Sequence, residues 1–192
     1  MERLAALGFA VFLDLKFHDI PNTVAGAVAS ASGLPNIRLL TLHASGGVEM
    51  MRAARAALLP KKKRPALLGV TILTSMDAKG MRRVGFSGAP DSRAVALARL
   101  AKEAGLDGVV ASAHEVRAIR RACGSKFLIV VPGVRPANSS TNDQARVATP
   151  SEAIRAGADY LVIGRPITAA PDPRAAARAI INEAASAARS GS

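Results

Sequence analysis

Short apolar runs alternate with Ala-rich, partly polar stretches along the whole chain. The runs are bounded by Gly, Pro, Asp or Lys, and such short bounded runs are typical of strands buried in a parallel sheet. Six strands are predicted from them: Phe9–Leu13, Ile37–Leu42, Ala66–Leu73, Asp107–Ala111, Lys126–Val131 and Asp159–Ile163.

Helical spacing of apolar residues fills most of the intervals between these strands. The pattern predicts helices over residues 2–7, about 22–33, 47–59, 91–104, 115–123 and 151–156, and one from about Pro173 almost to the C-terminus. A polar, Gly-containing loop is predicted between Met76 and Asp91. Alternation of strand and helix indicates a parallel sheet with right-handed crossovers.

The predicted fold class is α/β, an incomplete TIM (β/α)₈ barrel with about six parallel strands, each followed by a helix. A complete barrel has eight strands and typically about 250 residues, whereas this chain has 192. The chain opens with a helix that has no strand before it, so we expect that an N-terminal strand–helix–strand is missing. Residues 1–192 are expected to form a single domain.

Composition narrows the class of protein further. The chain is 49% hydrophobic but has no Trp and one Tyr, which suits a sheet wrapped by Ala-rich helices. No apolar run approaches the length of a transmembrane helix, and the N-terminus lacks the order of a signal peptide. A single cysteine, Cys123, excludes an intrachain disulfide. We therefore expect a cytoplasmic protein without a membrane partner.

The formal net charge of +12 raises the possibility of a nucleic-acid partner. The basic residues are scattered over the helices, however, and aromatic side chains for base stacking are nearly absent. The run Lys61–Arg64 is interpreted as a solvated turn. The charge is better explained as steering an anionic ligand inward, so no nucleic-acid partner is expected.

Three charged residues follow the first predicted strand: Asp14, Lys16 and Asp19. Side chains alternate along a strand, so Asp14 and Lys16 should project from one face. Burying such a pair costs several kcal/mol per ion, so an apolar strand gains nothing structurally from it. The structural alternative is an ion pair that closes the strand, with Asp19 or Asn22 capping the next helix, and it remains open on spacing alone.

The last two predicted strands end in Pro132-Gly133-Val134-Arg135 and Gly164-Arg165. Barrels often bind phosphate through the loops after their last two strands. Arg165 can give a phosphate two parallel hydrogen bonds, and Gly164 allows close approach of the backbone. The polar stretch from Ala137 to Gln144 is long enough to be a lid. Two Gly-containing turns with surface arginines are the structural alternative.

The stretch Phe-Leu-Asp-Leu-Lys-Phe-His-Asp-Ile-Pro-Asn-Thr at residues 12–23 resembles the signature of the bacterial orotidine 5′-phosphate decarboxylase family. The resemblance covers the chain from the family's third strand onward. It implies cofactor-free conversion of orotidine 5′-monophosphate to uridine 5′-monophosphate and carbon dioxide, without a metal. Lys16 would protonate C6 of the pyrimidine, and Asp14 and Asp19 would hold and polarise the array.

The resemblance also implies a set of substrate-binding residues. Thr74 would contact the pyrimidine, Gln144 would bridge phosphate and pyrimidine as the lid closes, and Arg135 would cover the phosphate. The remaining members are Ile20, Thr23, Pro132, Gly164 and Arg165. His43 is interpreted as a structural residue at a strand end.

A homodimer is expected, because in the family the loop matching Asp19, Ile20 and Thr23 reaches into the partner's site. The unpaired edge strands of a six-stranded sheet also favour association with a second chain. The family's first two strands also carry an aspartate and a lysine that have no position in this sequence. Turnover by the chain as given is therefore expected to be weak or undetectable.

Two further functions remain open from the sequence. One is a related metal-dependent sugar-phosphate decarboxylase or hexulose-phosphate synthase, which looks similar around Asp14, Lys16 and Asp19. The His43–Gly47 turn and the stretch from Arg135 to Gln144 favour the orotidine branch. The other is a catalytically inactive fragment that binds nucleotide phosphates.

Overall fold

The computed structural model of the chain describes residues 2–58, 64–136 and 148–189. In sequence order, its helices and strands are α1 Glu2–Ala6, β1 Val11–Phe17, α2 Pro21–Ala31, β2 Ile37–His43, α3 Val48–Ala56, β3 Ala66–Val70, α4 Ala78–Arg83, α5 Pro90–Glu103, β4 Gly108–Val110, α6 Val116–Cys123, β5 Leu128–Pro132, α7 Pro150–Ala156, β6 Tyr160–Val162, α8 Arg165–Thr168 and α9 Pro173–Arg189. Short 3₁₀ turns at Ala44–Gly46 and Ala113–Glu115 precede α3 and α6.

The six strands form one sheet in the order β1-β2-β3-β4-β5-β6. The pairs β1–β2, β2–β3 and β5–β6 are parallel, and at least one helix follows every strand. The prediction of a barrel-type α/β topology with six strands is confirmed. None of the described helices combines the length and apolar character needed to cross a membrane.

The chain packs into two compact units. The first comprises Met1–Thr71 and Ala96–Val109, and the second comprises Ile72–Val95 and Val110–Ser192. In the first unit, α2 packs on α3, and the core includes the fully buried Leu40 and Leu42 of β2. In the second, α7 packs on α9, and Ile129 and Val130 of β5 are fully buried. The prediction of a single domain over residues 1–192 stays a prediction.

β2 illustrates why such a sequence forms a buried strand. It reads Ile-Arg-Leu-Leu-Thr-Leu-His, and four consecutive residues, Leu39 to Leu42, are buried. A run buried on both faces is what a central parallel strand requires.

Helix α7 is stabilised at its start by a capping box. Thr149 and Glu152 each accept the other's backbone N–H, at 3.2 and 2.8 Å. Gly157 ends α7 in the left-handed conformation, with φ 105°.

Several predicted boundaries were wrong. β1 does not end at Leu13 but continues to Phe17, and β3 ends at Val70 rather than at Leu73. The β2–β3 ladder has its last pair at His43 and Val70, so β3 has no partner on β2 beyond that point.

Two helices lie where none was predicted. α4 occupies part of the predicted polar loop, because the Asp77 side chain accepts the Gly80 N–H at 2.7 Å and caps the helix. α8 begins directly after Gly164, with Pro166 in its first turn, where its missing N–H costs nothing.

Arg64 does not lie in a solvated turn, which corrects that part of the prediction for the run Lys61–Arg64; residues 61–63 are outside the described residues. The guanidinium donates two hydrogen bonds to Asp107, at 2.7 and 2.8 Å. About a quarter of each side chain is exposed. Asp107, just before β4, also accepts the Leu67 N–H at 2.8 Å and donates its own N–H to the Leu67 carbonyl. These hydrogen bonds of Asp107 with Arg64 and Leu67, called here an aspartate tie, join the amino ends of β3 and β4.

The second unit repeats this arrangement. Asp159, just before β6, accepts hydrogen bonds from Arg120 and from the Ile129 N–H, both at 2.7 Å. Its own N–H donates to the Ile129 carbonyl at 2.9 Å. Both aspartates therefore tie the amino end of one strand to the amino end of its neighbour.

We expect Asp107→Asn to lower the free energy of unfolding at pH 7 by about 2 kcal/mol, because Arg64 loses a partly buried charged partner. Burial raises the pKa of Asp107, but the hydrogen bonds from Arg64 and from the Leu67 amide outweigh it and hold the pKa below 3.8. A carboxyl with a lowered pKa in the folded state stabilises the fold above its unfolded pKa. That stabilisation is lost as the pH falls through the folded value.

The difference between wild type and Asp107→Asn should therefore shrink as the pH is lowered from neutral to below 3.8. Urea unfolding at a series of pH values measures this difference. Asp77→Asn is the matched control, because Asn caps a helix about as well as Asp. A deficit for Asp107→Asn that persists unchanged in acid would contradict the expectation.

Candidate active site

The three residues Asp14, Leu15 and Lys16 form a bulge in β1. Leu13 pairs with Leu40 and Phe17 pairs with Leu42, so only Thr41 of β2 lies opposite the three bulged residues. Lys16 has φ 52°, in the left-handed region that side chains other than glycine rarely adopt. Backbone conformations of this kind cluster at functional sites and persist only where their surroundings hold them.

The bulge brings together the two charged groups that the sequence singled out. The Lys16 ammonium donates to an Asp14 carboxylate oxygen at 2.5 Å. The other Asp14 oxygen accepts a hydrogen bond from the Thr41 hydroxyl at 2.8 Å. The contact between Asp14 and Lys16 agrees with the sequence, but it arises from the bulge rather than from regular alternation along a strand.

The Asp14–Lys16 pair is only partly buried, so the full cost of burying two ions does not arise. The Lys16 and Asp14 side chains are 38% and 42% exposed. A pair this exposed gains little stability from its attraction. The two groups are therefore accessible to a ligand, and their arrangement needs an explanation other than stabilisation of the fold.

Asp19, Ile20 and Thr23 lie at the start of α2 and are all exposed. Asp19 accepts the Ile20 N–H at 2.7 Å, and Ile20 is the residue that precedes the helix. Among the residues that the structure describes, no side chain caps α2, so the structural alternative of a cap from Asp19 or Asn22 is wrong. The residue at the N-cap position is Ile20, whose side chain has no hydrogen-bond acceptor, and Pro21 begins the helix without an N–H that needs a partner.

Two histidines border the Asp14–Lys16 pair. The rings of His18 and His43 are tilted at 44° with their centroids 5.4 Å apart. Burial, the His18 ring and the Lys16 charge lower the pKa of His43 below 6.5, and Asp14 opposes this shift. The lowered pKa favours the neutral form of His43 beside the Lys16 ammonium.

The second unit holds the two loops predicted to bind phosphate. Pro132 of β5 pairs with Val162 of β6, so the chain segments that follow leave adjacent points of the sheet. Gly133 has φ 74°, a conformation that glycine adopts without strain. Arg165 is exposed at the first position of α8, directly after Gly164.

Arg135 and Thr74 also lie in the second unit. Arg135 is buried, with 6% of its surface exposed, and its N–H donates to the Ala148 carbonyl at 3.0 Å. Thr74 is half-buried in a turn in which the Met76 N–H donates to the Leu73 carbonyl at 2.9 Å. Gln144 and the predicted lid from Ala137 to Gln144 lie outside the described residues.

One residue of the site was missed from the sequence. Thr41 is fully buried, and besides donating to Asp14 it accepts the Lys16 N–H at 2.9 Å. The available signal was a lone hydroxyl among the leucines at 39, 40 and 42 of β2. Among residues 2–58, 64–136 and 148–189, no group of three or more His, Cys, Asp or Glu side chains could hold a metal ion.

A parallel α/β sheet with charged residues at a carboxyl strand end belongs to the class of barrel-type enzyme folds. The comparisons with known proteins give the particular family. The chain matches the model described as "Orotidine 5'-phosphate decarboxylase / HUMPS family" over residues 1–180, and it belongs to this family.

Relatives and solved structures agree with that assignment. A protein from Nitrosococcus oceani named orotidine 5′-phosphate decarboxylase is 53% identical over 180 residues, which are 94% of this chain and 77% of the relative. One of the same name from Anaeromyxobacter dehalogenans is 57% identical over 176 residues, covering 92% of this chain and 76% of the relative. The crystal structure of the Lactobacillus acidophilus enzyme is 38% identical with a TM-score of 0.83, over 95% of this chain and 79% of that one.

Proposed function

We propose that this protein catalyses the cofactor-free decarboxylation of orotidine 5′-monophosphate to uridine 5′-monophosphate, a step of pyrimidine biosynthesis. The single observation that carries the proposal is the contact between Lys16 and Asp14, held in a bulge of β1 at 2.5 Å and backed by a buried hydroxyl. The family, whose members named above carry this activity in their names, supports the same reaction.

The proposed chemistry uses an ammonium and carboxylates only. The bond between C6 and the carboxylate carbon breaks, carbon dioxide leaves, and the electron pair stays on C6. The Lys16 ammonium stabilises that charge electrostatically and then transfers its proton to C6, leaving a neutral amine. Asp14 keeps the ammonium in place and crowds the departing carboxylate, and Asp19 is the third member of the array.

Phosphate binding is assigned to the second unit. Gly164 and Arg165 would contact the phosphate directly, Arg135 and Gln144 would close over it, and Thr74 would contact the pyrimidine. The adjacent positions of Pro132 and Val162 support this part of the proposal, because both loops start from neighbouring strand ends. Binding energy from the phosphate, remote from the reacting bond, can then be used to orient the substrate.

The test is an assay of the purified chain with orotidine 5′-monophosphate, in which uridine 5′-monophosphate is quantified by chromatography. Parallel reactions with and without Mg²⁺, and with a hexulose 6-phosphate as substrate, separate this proposal from a metal-dependent sugar-phosphate reaction. Binding of uridine 5′-monophosphate without turnover would instead favour an inactive nucleotide-binding fragment. The expectation of weak turnover is checked by comparing kcat/KM with that of the Nitrosococcus oceani relative.

A homodimer in the cytoplasm is part of the same proposal, and the exposure of residues at the start of α2 supports the dimer. Ile20 is 67% exposed, and β1 is the first strand in the sheet order, where unpaired backbone groups favour pairing with another chain. We expect a dimer at micromolar concentration by light scattering.

A charge placed at this surface should dissociate the dimer. Ile20→Glu is expected to give a monomer, because a carboxylate buried in an interface lacks a partner. Ile181→Glu on α9 is the matched control, since Ile181 is 64% exposed, and it should remain dimeric. A wild-type chain that stays monomeric and soluble would contradict the proposed assembly.

A further inference from the structure

Thr41 is a polar residue in the middle of a buried strand. Its side chain is fully buried, and its neighbours Leu40 and Leu42 are completely inaccessible. A hydroxyl in such a place is costly unless it is hydrogen-bonded. Thr41 uses both of its hydrogen-bonding roles on the same short segment: it accepts from the Lys16 N–H at 2.9 Å and donates to Asp14 at 2.8 Å.

The bulge gives these two bonds their importance. Asp14, Leu15 and Lys16 have no partner residues of their own on β2, since Leu13 and Phe17 already pair with Leu40 and Leu42. Leu15 is 49% exposed, so apolar packing does little to hold the bulge. The bond from the Lys16 N–H to the Thr41 hydroxyl therefore replaces a ladder hydrogen bond at the residue with φ 52°.

We propose that Thr41 is a positioning residue that fixes the Lys16 backbone and the Asp14 carboxylate through one hydroxyl. Its role in decarboxylation rests on the proposed function, whereas its role in holding the bulge does not. With the hydroxyl in place, Asp14 has one oxygen bound by Thr41 and the other bound by the Lys16 ammonium. The position of the Lys16 ammonium is therefore restrained twice, by the hydrogen bond on the Lys16 backbone and by the contact with Asp14.

Two substitutions isolate the hydroxyl. Thr41→Val keeps the shape and the branching at Cβ but removes both hydrogen bonds, and Thr41→Ser keeps the hydroxyl and loses only a methyl group. Ser32→Ala is the control, because it removes a hydroxyl that donates to the Ala29 carbonyl at 2.8 Å near the end of α2. A general effect of losing a hydroxyl would appear in the control as well.

Amide hydrogen exchange, followed by NMR, tests the positioning without any assay of activity. In Thr41→Val the Lys16 amide should exchange about tenfold faster or more, because its buried acceptor is gone. The Val11 amide, which donates to the Asn36 carbonyl at 2.8 Å at the other end of β1, should be unchanged. Thr41→Ser and Ser32→Ala should leave both amides within about threefold of wild type.

The reacting amine is tested next. Labelling of Lys16 by a small amine reagent, normalised to Lys102 in the same protein, should rise about threefold or more in Thr41→Val, because Asp14 holds the ammonium less firmly. In kinetic assays the same variant should lose about tenfold or more in kcat with KM changed by less than about threefold. Thr41→Ser should restore most of kcat.

Three results would overturn the proposal. One is an unchanged Lys16 amide in Thr41→Val. Another is equal acceleration of the Lys16 and Val11 amides, which would reveal only a less stable strand. The third is a full kcat despite the faster amide. If wild type itself gives no turnover, the proposed function fails for this chain, and the exchange and labelling experiments still decide whether Thr41 positions the pair.

Discussion

Replacing Lys16 with alanine is expected to abolish decarboxylation in any form of the protein that is catalytically active. The variant removes the only ammonium that contacts Asp14 among the described residues, and with it both the charge that stabilises C6 and the proton that C6 receives. Loss of general-acid and electrostatic contributions together corresponds to a decrease in kcat of about a thousandfold or more. Single-turnover kinetics at saturating orotidine 5′-monophosphate measures it directly.

The fold should survive this change. The Asp14–Lys16 pair is exposed enough that its loss costs less than about 1 kcal/mol of stability, so thermal unfolding should be nearly unchanged. Lys79→Ala on α4 is the control, because it removes an exposed lysine from a helix and should retain wild-type turnover. A Lys16→Ala variant with more than a small percentage of wild-type kcat would refute the role assigned to this residue.

Replacing Arg165 with alanine is expected to remove the preference for a phosphorylated ligand. Uridine 5′-monophosphate should bind wild type more tightly than uridine, because a guanidinium can give the phosphate two charge-assisted hydrogen bonds. Their loss should weaken nucleotide binding by about tenfold to a hundredfold, while the affinity for uridine stays the same. Isothermal titration calorimetry with both ligands gives the two affinities.

Arg174→Ala is the matched control for charge. Arg174 is an exposed arginine in the first turn of α9, in the same compact unit. If the phosphate were attracted only by the net positive charge, both variants would lose affinity equally. Equal affinity of wild type for nucleotide and nucleoside would mean that Gly164 and Arg165 do not form a phosphate site.

The alternation of strands and helices could be predicted because it depends on the local periodicity of hydrophobic residues. The proximity of Asp14 and Lys16 was equally local, although both lie within β1 rather than after it, and the motif around Lys16 led to the family. Strand ends were harder, because they depend on pairing between segments that are distant in the sequence. The last pair of the β2–β3 ladder joins His43 and Val70, and no pattern within residues 66–73 reveals that end.

Apart from the two short helices α4 and α8, the main features that the sequence did not predict are contacts between distant segments. The bulge in β1 depends on the register with β2, so the left-handed conformation of Lys16 could not be inferred from the motif itself. Thr41 is separated from Lys16 by 25 positions along the chain. Arg64 looked like the end of a solvated basic run, and only the fold brings Asp107, 43 positions away, against it.

The two aspartate ties have a consequence for how this protein can change. Asp107 and Asp159 stand at the amino ends of strands, whereas Asp14, Lys16 and the Gly164–Arg165 turn lie at or near carboxyl ends. We therefore expect substitutions around these aspartates to change stability, and substitutions at the opposite strand ends to change the proposed reaction. A mutant library confined to the neighbours of Arg64 and Arg120 should yield variants of higher stability in which Asp14, Lys16 and Arg165 are unchanged. These variants should then tolerate destabilising substitutions beside Lys16.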